Sequence, residues 1–265
     1  MLGFVAGAWL AAGVGLAADP VTLPERGLCA HRGASGTHPE NTLPALTEAV
    51  RLGVPMVEFD LALTRDGELV LMHDATVNRT TNGKGRVLDL DLAAIRQLDA
   101  GAWKHPRFAG TRVPTFAEAL AVLPRHLWLN IDLKADSRWG AQTAEVGRRV
   151  AELLARDGRL AQAFLAARAD TAAAARQAVP GIKICSMDRQ ADTAAYVADA
   201  VRRRVDFIQL RDCASDPRFP TWVGELKAAG IRINYFFARD AADATRLFAA
   251  GVNFALIDDP ASAVR

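Results

Sequence analysis

This sequence of 265 residues contains few cysteines and has almost no net charge. It has only three cysteines, Cys29, Cys185 and Cys213. An odd count argues against a disulfide framework, and no two of them have the spacing of zinc ligands. The 32 basic residues nearly balance the 30 acidic ones, which leaves a net charge of +2. Because no long basic run occurs, nothing in the composition predicts a nucleic-acid partner.

The first 18 residues carry no charge at all and are rich in Ala, Gly, Leu and Val. The first charged residue is Asp19. An apolar segment that ends in small residues is typical of a signal peptide, which predicts export to the periplasm or out of the cell. The basic residue that usually opens such a peptide is missing, and residues 1–18 reach the lower length limit of a membrane-spanning helix. An uncleaved membrane anchor is therefore the alternative.

Residues 21–265 are predicted to form a single domain, because this length suits one large core. Short apolar runs alternate with longer amphipathic stretches, which is typical of repeated strand–helix units. The runs that predict strands are residues 28–30, 56–61, 68–72, 127–133, 163–167, 182–185, 206–210, 231–236 and 253–257.

The third of these runs lies too close to the second for a parallel crossover, which needs about a dozen residues. Asp66-Gly67 between them is a tight-turn signal, so residues 68–72 are expected to fold back as an antiparallel hairpin arm. The other strands are expected to close into a (β/α)₈ TIM barrel, with an open doubly wound sheet as the alternative. Residues 75–125 are long enough to predict an insertion that walls or covers the active site.

Ionisable side chains gather near the carboxyl ends of the first barrel strands and of the hairpin arm, where barrel active sites form. They are His31, Arg32, Glu58, Asp60, His73, Asp132 and Lys134. Because residues two apart on a strand share a face, Glu58 and Asp60 point to the same side. Asp132 and Lys134 of the next barrel strand likewise share a face.

Carboxylates from neighbouring strands would repel one another and are costly to bury. A divalent cation such as Mg²⁺ or Ca²⁺, which prefers oxygen ligands, would remove that conflict. Together with Arg32 and Lys134 it would stabilise the charge of a phosphoryl group. Histidines titrate near neutral pH and suit acid–base catalysis, so the pattern indicates phosphodiester cleavage. Salt bridges between the acids and the two basic residues, without a metal, are the alternative interpretation.

The motifs around these residues resemble the glycerophosphodiester phosphodiesterase family. Residues 31–33 (His-Arg-Gly) and 39–42 (Pro-Glu-Asn-Thr) are similar to its signature, and residues 58–60 (Glu-Phe-Asp) and 73–74 (His-Asp) to its second block. The similarity extends over most of residues 28–135. Asn41-Thr42 offers an N-cap for the next helix. Glu40 and Asn41 are expected to fix the loop and cap that helix rather than touch substrate, with orientation of a catalytic group by Glu40 as the alternative.

This resemblance implies a metal-dependent enzyme that hydrolyses glycerophosphodiesters to an alcohol and glycerol 3-phosphate. It implies metal ligands at Glu58, Asp60 and Asp132, an acid–base pair at His31 and His73, and phosphate binding by Arg32 and Lys134. The family usually has Glu at the position of Asp132. Because Asp is one methylene shorter, the ion would have to shift or a water molecule would have to fill the gap.

Other substrates and functions stay open. The same chemistry could act on a lysophospholipid or another phosphodiester, and a non-catalytic barrel that binds phosphorylated ligands is a further alternative. The expected partner is a small phosphodiester molecule, and membrane contact is expected only through an uncleaved N-terminal segment or a lipid-like substrate. Residues 234–237 (Asn-Tyr-Phe-Phe) stand where the family commonly has Trp, so phosphodiester chemistry is better supported than a preference for glycerol.

Overall fold

The computed structural model describes residues 22–134, 142–189 and 191–263. The predicted signal peptide or anchor, residues 1–18, lies outside these described residues. Within the described ranges, no helix combines the length and apolar character needed to cross a bilayer.

Strands and helices alternate along the chain as the sequence predicts. The strands are β1 (Gly27–Ala30), β2 (Met56–Leu63), β3 (Leu69–Leu71), β4 (Trp128–Leu133), β5 (Ala163–Ala167), β6 (Lys183–Ser186), β7 (Phe207–Arg211), β8 (Arg232–Phe236) and β9 (Phe254–Ile257). The helices are α1 (Leu43–Arg51), α2 (Leu92–Ile95), α3 (Phe116–Val122), α4 (Gln142–Arg156), α5 (Ala169–Ala178), α6 (Thr193–Arg203), α7 (Phe219–Ala228) and α8 (Ala241–Ala249).

The parallel strands form a closed ring. Their order is β1-β9-β8-β7-β6-β5-β4-β2, and β1 also pairs with β2, which completes the circle. This confirms the predicted barrel and excludes the open doubly wound sheet. Strand β3 lies outside the ring and pairs antiparallel with β2, Leu71 opposite Leu61. The turn between them places Gly67 at φ +84°, a left-handed conformation that glycine adopts without strain.

Large apolar side chains fill the amino-terminal half of the barrel interior. Phe164 and Phe207 stack with ring centroids 4.1 Å apart. Met56, Trp128 and Phe254 are buried beside them, each at or near the start of its strand. Because these rings occupy the barrel axis, this end is a packed core rather than a channel, and the polar groups of the interior lie toward the opposite end.

The outer layer is held by helices that bury one apolar face each. In α4 that face contains Val146, Val150 and Leu154. A Cβ on Gly147 would lie 2.6 Å from the carbonyl oxygen of Thr171, so glycine allows α4 and α5 to approach closely.

The chain between β3 and α3 forms the predicted insertion. Its apolar side chains, including Val77, Val87 and Ile95, pack with Val70 and Met72 of the hairpin arm in a cluster separate from the main core. The insertion therefore stabilises the arm from outside the ring.

Candidate active site

Three carboxylates converge inside the carboxyl end of the barrel. Glu58 and Asp60 project from β2, and Asp132 projects from β4, where it is the direct register partner of Asp60. One oxygen from each carboxylate lies within 4.8 Å of the other two, and all three residues are buried. The sequence prediction that acids from separate strands meet here is therefore confirmed, and the shorter Asp132 side chain still reaches the cluster.

The negative charge of this cluster is only partly balanced. Glu58 Oε2 accepts the backbone N–H of Arg32 at 2.8 Å, and within the described residues Glu58 forms no ion pair. Burial, and next Asp60 and Asp132, raise the pKa of Glu58 well above its usual range. The Oδ1 atom of Asp60 accepts no hydrogen bond, although it lies 3.1 Å from Nζ of Lys134. The residues therefore fit a divalent cation, which would supply the missing positive charge and use the free oxygen.

Lys134 lies directly against two of the three acids. Its ammonium donates to Asp132 and lies 3.1 Å from Asp60. Burial lowers the pKa of Lys134, but the carboxylates outweigh burial and raise it, so the side chain stays charged. For Asp60, burial acts to raise the pKa, while Lys134 and then Arg32 lower it to about 2. The salt-bridge interpretation thus accounts for Asp60 and Asp132 but leaves Glu58 without an ion-pair partner among the described residues.

A tight loop after β1 brings Arg32 to the cluster. Arg32 has a left-handed backbone, φ +54°, and its Nε lies 3.4 Å from Asp60 Oδ2. A Cβ on Gly33 would lie 2.6 Å from the backbone of Ala45, so only glycine fits at that position. The loop is closed by Asn41, whose amide donates to Asp60 Oδ2 at 2.7 Å and whose Oδ1 accepts the Asp60 N–H at 3.0 Å.

His31 stands at the end of β1 with most of its ring buried. Its Nδ1 lies 2.6 Å from Asp258 Oδ1, at the end of β9, and Ser35 donates to the same oxygen at 3.2 Å. The ring packs edge-on against Phe236, with centroids 5.1 Å apart. Burial raises the pKa of Asp258, but His31 outweighs burial and lowers it. An ionised Asp258 keeps the proton on Nδ1, which leaves Nε2 free to face a substrate.

His73 follows the hairpin arm on the other side of the cluster. Met72, just before it, donates its backbone N–H to the Asp60 carbonyl at 3.1 Å. His73 is close enough to act on two of the acids: it is among the groups that lower the pKa of Asp60, and it opposes the burial that raises the pKa of Asp132. Its Nδ1 lies 2.7 Å from Asp74 Oδ1.

A cavity of about 300 Å³ adjoins the cluster on the His73 side. Its polar lining includes His73, Asp132 and Lys134, and its apolar lining includes Leu63, Val87, Leu88 and Met187. A larger groove of about 770 Å³ lies between α3 and α4 and contains none of the predicted site residues. We assign the chemistry to the smaller cavity, because catalysis follows the convergent polar groups rather than the volume.

Comparison with known proteins agrees with this geometry. The model of the Glycerophosphoryl diester phosphodiesterase family matches residues 31–262. The chain belongs to this family. A glycerophosphodiester phosphodiesterase from Caldanaerobacter subterraneus subsp. tengcongensis is 46% identical over 107 residues, which are 40% of this chain and 44% of that enzyme. Matches to the first curated relatives thus span about half of those proteins' length.

Solved structures of similar proteins cover more of the chain. A phosphodiesterase from Oleispira antarctica, in complex with the product sn-glycerol-3-phosphate, has a TM-score of 0.79 and 27% identity, with 91% of this chain and 95% of that chain covered. A glycerophosphodiester phosphodiesterase from Agrobacterium tumefaciens has a TM-score of 0.75 and 26% identity, with 90% and 99% covered.

Sequence reasoning placed the seven site residues correctly at one end of the barrel but missed several of their partners. The cap of α1 was predicted at Asn41-Thr42; Thr42 occupies the cap position, and the Asn41 side chain binds Asp60. Asp258 and Asp74 had no predicted role, although each lies against a histidine. Asp74 is adjacent to His73 in sequence, whereas Asp258 comes next to His31 only because β9 pairs with β1.

Proposed function

We propose that this protein hydrolyses glycerophosphodiesters to an alcohol and glycerol 3-phosphate. The observation that carries the proposal is the buried cluster of Glu58, Asp60 and Asp132, to which the loop of His31 and Arg32 is bonded and which His73 lies close enough to affect. Membership of the phosphodiesterase family supports it. The product bound to the Oleispira antarctica structure supports glycerol 3-phosphate as one of the products.

In this proposal, Arg32 and Lys134 bind the phosphoryl oxygens, because both cations line the cluster and stay charged. His31 and His73 exchange protons with the attacking and leaving oxygens through Nε2, while Asp258 and Asp74 hold their Nδ1 atoms. Glu58, Asp60 and Asp132 hold one divalent cation, Mg²⁺ or Ca²⁺. When bound, that ion supplies positive charge to the phosphoryl group.

We also propose that residues 1–18 direct export, to the periplasm or the exterior, and that residues 21–265 form one catalytic domain. The uncharged apolar composition of the first 18 residues supports export. An anchored form is the alternative outcome. Mass spectrometry of the mature protein from the native host distinguishes the two, because cleavage removes the apolar segment and an anchor retains it.

The decisive experiment incubates purified protein with glycerophosphocholine and follows release of glycerol 3-phosphate. We expect turnover in Mg²⁺ or Ca²⁺, loss of turnover with a chelator, and recovery when the ion is restored. Substitution Glu58→Gln should abolish recovery. Activity that persists through thorough chelation would remove the metal from the proposal.

A lysophospholipid is the second candidate substrate. The apolar wall formed by Val87, Leu88 and Met187 beside the cluster favours it. Turnover of lysophosphatidylcholine without turnover of glycerophosphocholine would replace the first substrate with the second. Binding of glycerol 3-phosphate without turnover of either diester would favour a non-catalytic barrel.

A further inference from the structure

One arginine of the insertion binds two carboxylates from different segments of the candidate site, Glu40 from the loop after β1 and Asp74 from the segment after β3. Arg79 donates from Nη1 and Nη2 to Glu40, each at 2.8 Å. It also donates from Nε and Nη2 to Asp74, at 2.7 Å and 3.0 Å. The planar guanidinium therefore holds each carboxylate through a pair of hydrogen bonds, which fixes orientation as well as distance.

Each of these carboxylates also holds a residue to which we assign a role in the reaction. Asp74 Oδ1 lies 2.7 Å from Nδ1 of His73. Glu40 Oε1 accepts a hydrogen bond from Nη1 of Arg32 at 2.7 Å. Arg79 thus completes a continuous path of contacts from the imidazole of His73 to the guanidinium of Arg32.

The barrel strands alone do not fix these two groups against each other. His73 follows β3, which lies outside the ring, and Arg32 lies in the loop after β1. The insertion that carries Arg79 follows the arm and contacts the same loop, where Lys104 donates to the Ser35 carbonyl and Arg107 to the Thr37 carbonyl. The contacts of Arg79 therefore join two parts of the site that the ring positions separately.

The charges favour the same arrangement. The hydrogen bond from Arg79 is the main cause that holds the pKa of Asp74 well below its usual range, with His73 adding to it. Burial raises the pKa of Glu40, but Arg79 and Arg32 outweigh burial and lower it. Both carboxylates are therefore ionised acceptors at neutral pH, and one cation is shared between them.

We propose that Arg79 is a positioning residue, which sets the geometry of His73 relative to Arg32 without touching the substrate. This inference rests on the proposed function, since it assumes acid–base chemistry at His73 and phosphate binding at Arg32. The Arg79 side chain is 44% exposed, so its ion pairs contribute little to folding. Its loss should therefore act on turnover rather than on the amount of folded protein.

The test compares Arg79→Gln with a matched control, Arg65→Gln. Arg65 lies in the turn between β2 and β3 and pairs with Asp91 of the insertion through Nε and Nη2, in an exposed bidentate contact. We expect Arg79→Gln to lower kcat about 10- to 100-fold, as loss of an orienting partner does, and to raise KM through Arg32. Arg65→Gln should leave both constants unchanged. A purely structural role would lower the active fraction, and hence kcat, with KM unaltered.

Rescue separates positioning from misfolding. Arg79→Lys should recover only part of the activity, because an ammonium cannot form paired bonds with two carboxylates. Low millimolar guanidinium chloride should restore part of the lost kcat of Arg79→Ala, and potassium chloride at equal ionic strength should not. Arg79 variants as active as Arg65→Gln would overturn the inference. Wild-type protein inactive on every glycerophosphodiester would instead overturn the proposed function, so the two failures are distinguishable.

Discussion

The two histidines of the candidate site are held in different ways. The His31 side chain is 11% exposed and is fixed by Asp258, which lies 227 residues away in sequence. The His73 side chain is 33% exposed and is fixed by Asp74, the next residue along the chain. His31 is thus positioned by closure of the barrel between β1 and β9, whereas His73 is positioned by an arm and an insertion added outside the ring.

This difference indicates that one half of the site is as rigid as the barrel and the other half is only as rigid as its supporting contacts. His31 is packed against Phe236 and is therefore held as rigidly as the strands beside it. Asp74 and Arg79 hold His73 from the arm and the insertion. The contrast lies in this connectivity and not in the exposure of the partners, because the Asp258 side chain is 51% exposed and that of Asp74 is 30% exposed. Substitutions around the two histidines should therefore have different kinetic signatures.

The largest effects are expected from removal of the histidines themselves. His31→Ala and His73→Ala should each lower kcat on glycerophosphocholine about 10²- to 10⁴-fold, as expected for a lost proton-transfer group. A 4-nitrophenyl diester distinguishes their roles, because its leaving group departs without a proton. The variant that lacks the general acid should regain activity on that substrate, and the variant that lacks the base should not. Unchanged kcat in either variant would contradict its acid–base role.

Smaller effects, about 10- to 100-fold, are expected when the carboxylates behind the histidines are neutralised. Asp258→Asn should lower kcat with little change in KM, because Asp258 serves His31. Asp74→Asn should lower kcat and also raise KM, because it loosens Arg79 and, through Glu40, the Arg32 side chain that we propose binds phosphate. Steady-state kinetics of the two variants test this. Identical signatures would mean that the two sides of the site are supported alike.

The smallest effect is a pH dependence of stability. The pKa of Asp74 and that of Asp258 are both lowered in the folded protein. A lowered carboxyl pKa stabilises the fold above the unfolded value of about 3.9 and loses that contribution as pH falls through the folded value. Melting temperatures of wild type and each Asn variant should therefore differ at pH 7 and converge below about pH 4. A difference that grows on acidification would contradict the direction of both shifts.

The fold was accessible from sequence because its signals are local. Each barrel strand is a short apolar run buried on both sides, and the distance between residues 61 and 68 was too short for anything but a hairpin. The acids Glu58 and Asp60 were equally accessible, because two-residue spacing on a strand fixes a shared face.

The partners of the site residues were less accessible, because they depend on how distant segments meet. Asp258 contacts His31 only through the β1–β9 pairing, and Arg79 reaches Glu40 only through the path of the insertion. Nothing in the spacing of these residues indicates the contact. The cap of α1 was predicted at Asn41-Thr42 and Thr42 is there, but no local signal indicated that the Asn41 side chain binds the buried Asp60.

The aromatic stack of Phe164 and Phe207 has a consequence for substrate entry and product release. Since large apolar side chains fill the amino-terminal end of the barrel, the diester of the proposed reaction would have to enter, and both products would have to leave, at the carboxyl end. We expect the fragment seated deeper to depart second and to block the next arrival until it does. The order of product release would then follow from the closed barrel. It would be measured as product inhibition by the fragment that leaves second.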